Sequence, residues 1–464
     1  VLGLTFNRTP AAELSARIRS RWGNSALAFP HRVMTFDALH VAALEHLLTK
    51  GLVSWPEGHT TLEVRDDFRG ERGYRFLRPP SNWRRVATLN QNRQVVSGGA
   101  EVSSPTNGIG NKAQHDALLR SGITCHEDVR SVLLAAMKLD DLKSHVSDWL
   151  SNSFRALVVD EVYDAALLDL HVAFLAAETG LLVTLVGDPW QALYGWRGAS
   201  PDKVEELLKA TTEKFEPYQQ SVSFRFVGDQ MPELTRALRA GEAVTLPVVE
   251  STEVDVALGR QWRPLWRVGD NVLPLAFRTV DNATDAALNL LLDVLTRAHF
   301  STPSFGRESA IAHLGLDRDH LRVEQDAVMR PLLDDLRTGK SPANVLDALR
   351  GSMQRLGAPR RPNRLQGLNE AARVDDLAAL SRRLSQASLV PGLTVYQAKG
   401  REWPRVGVVL TRAERDLLNL GLVELGDDDC VVYVAITRAM KQCGLLRDEL
   451  TLDLDGGGRE TAKG

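Results

Sequence analysis

Two acidic residues side by side, Asp160 and Glu161, close the apolar run at 156–159, and a second apolar run at 181–186 closes in Gly187-Asp188-Pro189-Trp190-Gln191. Carboxylates so placed suit hydrolysis of a nucleoside triphosphate: Asp160 would hold Mg²⁺ through its water shell, and Glu161 would orient or deprotonate the attacking water. A solvated strand end has the same composition, so the pair alone leaves both readings open. The elements that must position these groups are legible around them. Both runs are unbroken and rich in Leu and Val, the pattern of parallel strands buried on both faces. Between them, 165–179 carries Leu168, Val172 and Leu175 at helical spacing, and Gly180 follows as a stop signal. In an open parallel sheet built from such units, ligands sit beyond the carboxyl ends of the strands.

Composition bounds the class. A chain of 464 residues holds about three domains on size grounds. With 44% hydrophobic and 25% charged residues it reads as globular, not disordered or fibrous. A formal net charge of −3 provides no global basic field, so any nucleic-acid site must be local. Cys125, Cys430 and Cys443 are too few and scattered for a disulfide framework, which fits a reducing cytoplasm. No apolar run approaches the roughly 20 residues that span a bilayer, so no membrane partner is expected.

Together, VVDEVYD and VGDPWQALYGWRGAS resemble the second and third motifs of the UvrD/Rep/PcrA-type superfamily 1 DNA helicases. The resemblance implies that Gln191 senses the γ-phosphate, that Trp196 stacks on a DNA base, and that Arg197 follows as a DNA contact. Base stacking tolerates any sequence, as a motor on single strands requires. The opening VLGLTFNRTPAAELSARIRSRW reads as a strand at 1–6, with Thr9 as helix cap, Pro10 as first helical residue, and Leu14 and Ile18 as the buried stripe. It resembles motif Ia, which places Phe6 on DNA. VMTFDALH at 33–40 is similar to motif Ib, with Asp37 where the family has His, so no contact is carried onto it.

Downstream, 216–226 resembles motif IV, which makes Phe224 an adenine-stacking residue and Arg225 a finger to the γ-phosphate. LPLAFRT at 273–279 reads as a strand. LTVYQAKGREWPRVGVVL at 393–410 resembles motif V, so Lys399, Gly400 and Glu402 are implied in nucleotide binding, with Tyr396 in place of the usual His as a base-stacking residue. DDDCVVYVAITRAMKQC at 427–443 resembles motif VI, with Tyr433 and Thr437 in place and Arg438 as second finger.

The resemblance implies an α/β fold of the P-loop NTPase type, two recA-like parallel-sheet domains with helical insertions. Residues 1–40 plus 143–215 would form domain 1A, 41–142 an inserted helical subdomain 1B, 216–303 plus 391–452 domain 2A, 304–390 a reduced helical 2B-like insertion, and 453–464 a disordered tail. Within 41–142, the stretch 65–85 reads as solvated surface and 97–111 as a loop. ATP with Mg²⁺ would be the cofactor, held where the two domains face each other. Single-stranded DNA, or duplex with a 3′ tail, would be the partner, with 3′ to 5′ movement in repair or recombination and a nuclease or repair subunit as a further partner.

The family's Gly-rich phosphate-binding loop, ending in Gly-Lys-Thr or Gly-Lys-Ser upstream of motif Ia, is not found. The chain is therefore expected to lack an N-terminal part and, alone, to bind ATP poorly and hydrolyse little. Two rival readings remain, a noncatalytic DNA-binding or scaffold subunit and the motor part of a helicase-nuclease.

Overall fold

Apolar runs of four residues, too short for helices and bounded by polar turns, form the centre of the first half of the molecule. The computed structural model describes residues 1–6, 8–65, 83–102, 112–193, 195, 199, 201–211, 215–220 and 223–446. It divides the chain into two units, Val1–Gln219 and Gln220–Gly464. In the first, β1 (Leu2–Thr5) leads through α1 (Arg8–Trp22) to β2 (Arg32–Thr35) and α2 (Phe36–Thr49). The chain continues through β3 (Glu63–Val64), β4 (Trp83–Leu89), β5 (Val95–Val102), α3 (Lys112–Arg120), β6 (Ile123–Thr124), α4 (His126–Ala136) and α5 (Asp140–Ser153). It returns to the sheet with β7 (Ala156–Val159), α6 (Leu167–Glu178) and β8 (Leu182–Leu185), and α7 (Pro201–Ala210) follows.

The main sheet is parallel throughout in the order β2-β1-β7-β8. Its central strands are buried by Leu2, Leu4, Leu157 and Val159, whereas β8 lies at an edge, with Leu182 76% exposed. The expectation that both runs are buried strands is therefore corrected for the second: among the described residues β8 pairs only with β7. Helix α1 begins at Arg8, so Thr9 lies inside the first turn and not at the cap, and Leu14 and Ile18 are half-buried.

One continuous apolar core joins Leu2 and Leu4 to Leu44 of α2, Val129 of α4, Leu150 of α5 and Leu157. The expected edges at 41 and 143 fall inside α2 and α5, whose buried faces run unbroken across them. Nor is 41–142 purely helical: β4 and β5 form an antiparallel hairpin, so part of the expected loop at 97–111 is strand. Most of the stretch at 65–85 and residues 103–111 lie outside the described residues.

In the second unit, α8 (Gln230–Arg239) precedes β9 (Val248–Val249), β10 (Val256–Gly259), α9 (Trp262–Leu265) and β11 (Val272–Pro274). A helical layer follows: α10 (Ala283–Phe300), α11 (Arg307–Leu314), α12 (Arg318–Arg337), α13 (Pro342–Arg355) and α14 (Leu368–Leu384). The chain then re-enters the sheet through β12 (Val390–Thr394), α15 (Val395–Ala398), β13 (Trp403–Val409), α16 (Arg412–Leu420), α17 (Asp427–Thr437) and β14 (Ala439–Leu446). This sheet is also parallel, in the order β11-β12-β10-β13-β14-β9.

The strand expected over 273–279 is limited to β11, because the following residues are buried by packing instead of pairing. Phe277 stacks on Trp266 at 4.6 Å, and the Trp266 indole donates to the Ala276 carbonyl at 2.9 Å. Helix α10 belongs to the helical layer, its Leu288, Leu291 and Leu292 packing with Ile311, Met329, Leu346 and Leu377. The layer thus starts at Ala283, not at 304, and the expected edge at 391 falls inside β12. The stretch 453–464, expected to be disordered, lies outside the described residues. Among the described residues no helix is long and apolar enough to cross a membrane.

Candidate active site

At the carboxyl ends of β7 and β8 the backbone is tied so that two acidic loops lie together. The Asp160 amide donates to the Leu4 carbonyl at 3.0 Å, the Val186 amide to Val159 at 2.8 Å, and the Val162 amide to Val186 at 2.9 Å. Gly187 is required by this approach: a Cβ there would lie 2.9 Å from Tyr163 Cδ2 and 3.0 Å from the Val162 nitrogen. Glu161 is left-handed, with φ 60° and ψ 43°. That conformation costs a non-glycine residue about 1–2 kcal/mol, and such strain clusters at functional sites.

The second loop is ordered by its own side chains. Asp188 accepts the Trp190 amide at 3.2 Å and the Gln191 side-chain amide at 2.9 Å. Asp164 accepts the Leu193 amide at 3.1 Å, joining the two loops again. Tyr163 donates to Glu205 of α7 at 2.5 Å, and burial together with that carboxylate pushes its phenol well above the ordinary range. Asp160 and Glu161 thus follow β7 and Gln191 follows β8, at the carboxyl ends of two adjacent strands, each half-buried. Oxygen donors of this kind suit Mg²⁺, which keeps much of its water shell. Among the described residues there is no cluster of three His, Cys, Asp or Glu side chains able to hold a metal, so an ion here would rely on few protein ligands.

Of the residues expected on DNA, Phe6 stacks on Phe36 at 5.0 Å between ring centroids and packs partly against the core. Trp196 and Arg197 lie outside the described residues.

In the second unit, the structure brings together Arg225 and Glu402, 2.8 Å apart, and Arg225 also donates to the Thr437 carbonyl at 3.1 Å. Phe224 beside it is 88% exposed, free to present a ring face. Gly400 adopts φ 82°, which turns the chain from α15 into β13. Tyr396 is half-buried and Lys399 buried. Arg438, expected as a second finger, is buried. Its side chain is 1% exposed, with Nε donating to the Val434 carbonyl at 3.2 Å and Nη1 near the Arg401 carbonyl at 3.5 Å. These carbonyl contacts join the end of α17 to the turn before β13.

Two features escape sequence reasoning. A Gly-Lys-Ser tripeptide does occur, at 339–341, between α12 and α13. It is no phosphate cradle: Asp334 stands where the loop's first glycine belongs, no strand leads into it, and Lys340 bonds Asp335 at 2.7 Å. In the first unit, Ser97 Oγ lies 2.7 Å from His115 Nδ1, and His115 Nε2 lies 3.3 Å from Asp128. This is the order of a hydrolytic triad, but all three side chains are buried, so no substrate reaches Ser97. Asp128 also accepts the Ala87 amide at 2.7 Å, which pins the β4–β5 hairpin to α3 and α4. Burial raises the Asp128 carboxyl, but the hydrogen bonds from His115, Ala87 and Cys125 outweigh it and hold the group below its usual range. No spacing in the sequence signals this cluster.

Comparison with known proteins covers the segment that carries Asp160, Glu161 and Gln191. Residues 84–212 match the UvrD/REP helicase N-terminal domain. DNA helicase II of Salmonella typhimurium is 34% identical over 98 residues, which cover 21% of this chain and 13% of that protein. DNA helicase II of Escherichia coli is 33% identical over 98 residues, again 21% of this chain and 13% of the relative. The Haemophilus influenzae protein of that name is 30% identical over 95 residues, 20% of this chain and 12% of the relative. The match therefore spans a small part of each relative's length.

Proposed function

We propose, for a chain similar to UvrD-type superfamily 1 DNA helicases, that it is an ATP-dependent motor moving 3′ to 5′ on single-stranded DNA in repair or recombination. The observation that carries this reading is the strained Glu161 beside Asp160, at the carboxyl end of β7, where the close approach of Gly187 to Val162 brings the loop of Gln191 alongside. In this reading Asp160 holds Mg²⁺ through water and Glu161 takes the proton of the attacking water. Gln191 responds to the γ-phosphate. Phe224 offers a ring to the adenine, Glu402 and the Gly400 turn bind nucleotide, and Arg225 stabilises charge on the transferring phosphoryl group. Phe6, Trp196, Arg197 and Tyr396 supply stacking and backbone contacts to DNA. ATP bound with Mg²⁺ would supply the phosphoryl group whose transfer drives movement.

A second reading is a noncatalytic DNA-binding or scaffold subunit, which would need the stacking residues but not Glu161. The two readings separate in an unwinding assay on duplexes with a 3′ or a 5′ tail, run with ATP and Mg²⁺. The motor reading predicts strand separation from the 3′ tail that requires both. Binding to the tails with no ATP-dependent separation supports the second.

A further inference from the structure

The connection from α1 to β2 is used by none of the roles above, yet it carries two of the most exposed aromatic rings in the first unit. Trp22, at the end of α1, is 65% exposed, and Phe29, beyond the short turn Asn24–Leu27, is 84% exposed. Each ring has a guanidinium over it. Arg21 lies 5.7 Å from the Trp22 centroid and Arg32 lies 5.9 Å from that of Phe29. Between Glu13 and Asp37 there is no carboxylate, while Arg17, Arg19, Arg21 and Arg32 fall in that interval. Glu13 is held by Arg17 at 2.6 Å, so it does not offset the others.

We propose that this connection is an additional contact for single-stranded nucleic acid, with Trp22 and Phe29 as stacking platforms and Arg19, Arg21 and Arg32 as phosphate contacts. An exposed apolar ring alone would suit many partners. The charge decides among them: in a chain of net charge −3, a segment free of carboxylates is a local positive field that attracts a polyanion. The geometry suits a base more than a peptide, because a flat ring with a guanidinium beside it offers both stacking and cation–π contact to any base. Arginines in the last turn of α1 also oppose the helix dipole. That accounts for Arg19 and Arg21 but not for two exposed rings, nor for Arg32 on β2. The inference rests on the DNA reading only for the class of ligand.

The test is fluorescence anisotropy with a labelled oligothymidylate, on the full chain and over a range of salt concentrations. The double substitution Trp22→Ala with Phe29→Ala is expected to weaken binding about tenfold or more, given the usual worth of base stacking. Trp22→Phe with Phe29→Tyr should bind within about twofold of the unaltered chain, since the ring faces remain. Replacing Arg19, Arg21 and Arg32 by Gln should flatten the slope of log affinity against log salt by about 0.7 for each phosphate no longer neutralised. Alanine variants that bind as tightly as the unaltered chain overturn the inference and leave the proposed motor untouched, since that depends on Glu161. No binding of the unaltered chain to the oligonucleotide, or binding only to vesicles of anionic lipid, overturns it too.

Discussion

Glu402 holds the Arg225 guanidinium at 2.8 Å, while another nitrogen of the same group donates to the Thr437 carbonyl at 3.1 Å. Three segments far apart in the chain meet at one arginine. Both partners of the ion pair are partly exposed, so it adds little to stability, about 0–1 kcal/mol. Arg225→Ala should leave the urea unfolding midpoint of the chain almost unchanged. A finger to a transferring phosphoryl group is worth about 10³-fold or more in rate. The same variant should therefore lower DNA-stimulated ATP turnover by that order, as a phosphate-release assay would show.

Gly187 should tolerate no side chain. The Cβ of an alanine would press on the Val162 nitrogen at 3.0 Å and Tyr163 Cδ2 at 2.9 Å, and the backbone cannot yield without parting the two strand ends. Gly187→Ala is expected to destabilise the first unit by about 1–3 kcal/mol, the usual cost of overpacking. Urea unfolding followed by tryptophan fluorescence measures it.

Glu161 stands in the left-handed region at φ 60°, so the fold bears strain where chemistry is proposed. Glu161→Gly relieves it, less the added freedom of glycine in the unfolded chain. The expected result is a gain of about 0.5–1 kcal/mol in unfolding free energy with loss of turnover. A variant less stable than the parent would remove the strain from the account.

His40 makes the first unit acid-sensitive. Burial dominates and lowers its imidazole from 6.5 to about 3, although Asp37 opposes the shift, and Asp169 lies 3.2 Å from Nε2. The folded state keeps the ring neutral while the unfolded chain takes up a proton below pH 6.5. The contribution is fully present above that pH and is lost progressively as pH falls toward about 3. His40→Leu should flatten the fall in unfolding free energy between pH 7 and pH 5, measured by urea titration at each pH. An unchanged slope would assign the acid sensitivity elsewhere.

What sequence could reveal depended on pattern. The strand, helix, strand unit ending in Asp160 and Asp188 was readable because its apolar runs are short, Leu168, Val172 and Leu175 recur at helical spacing between them, and its stops are explicit. The edge position of β8 was not, since a run such as Leu182–Leu185 has the same composition whether one neighbour or two cover it. In the second unit, β10 went unread although it is central, because no motif residue closes its four-residue run, Val256–Gly259. Helix α10, buried on nearly every side, has too little polar face for periodicity to mark where the helical layer begins. Among site residues, neither the pairing of Arg225 with Glu402 nor the burial of Arg438 against the carbonyls of Val434 and Arg401 is foretold by spacing.

The most direct test of the central claim is ATP hydrolysis by the chain with and without single-stranded DNA, set beside Glu161→Gln. The account predicts turnover that DNA stimulates and that falls by about 10²–10⁴-fold when the carboxylate no longer takes the proton of water, while affinity for the strand is unchanged. Turnover by Glu161→Gln equal to that of the parent chain would contradict it.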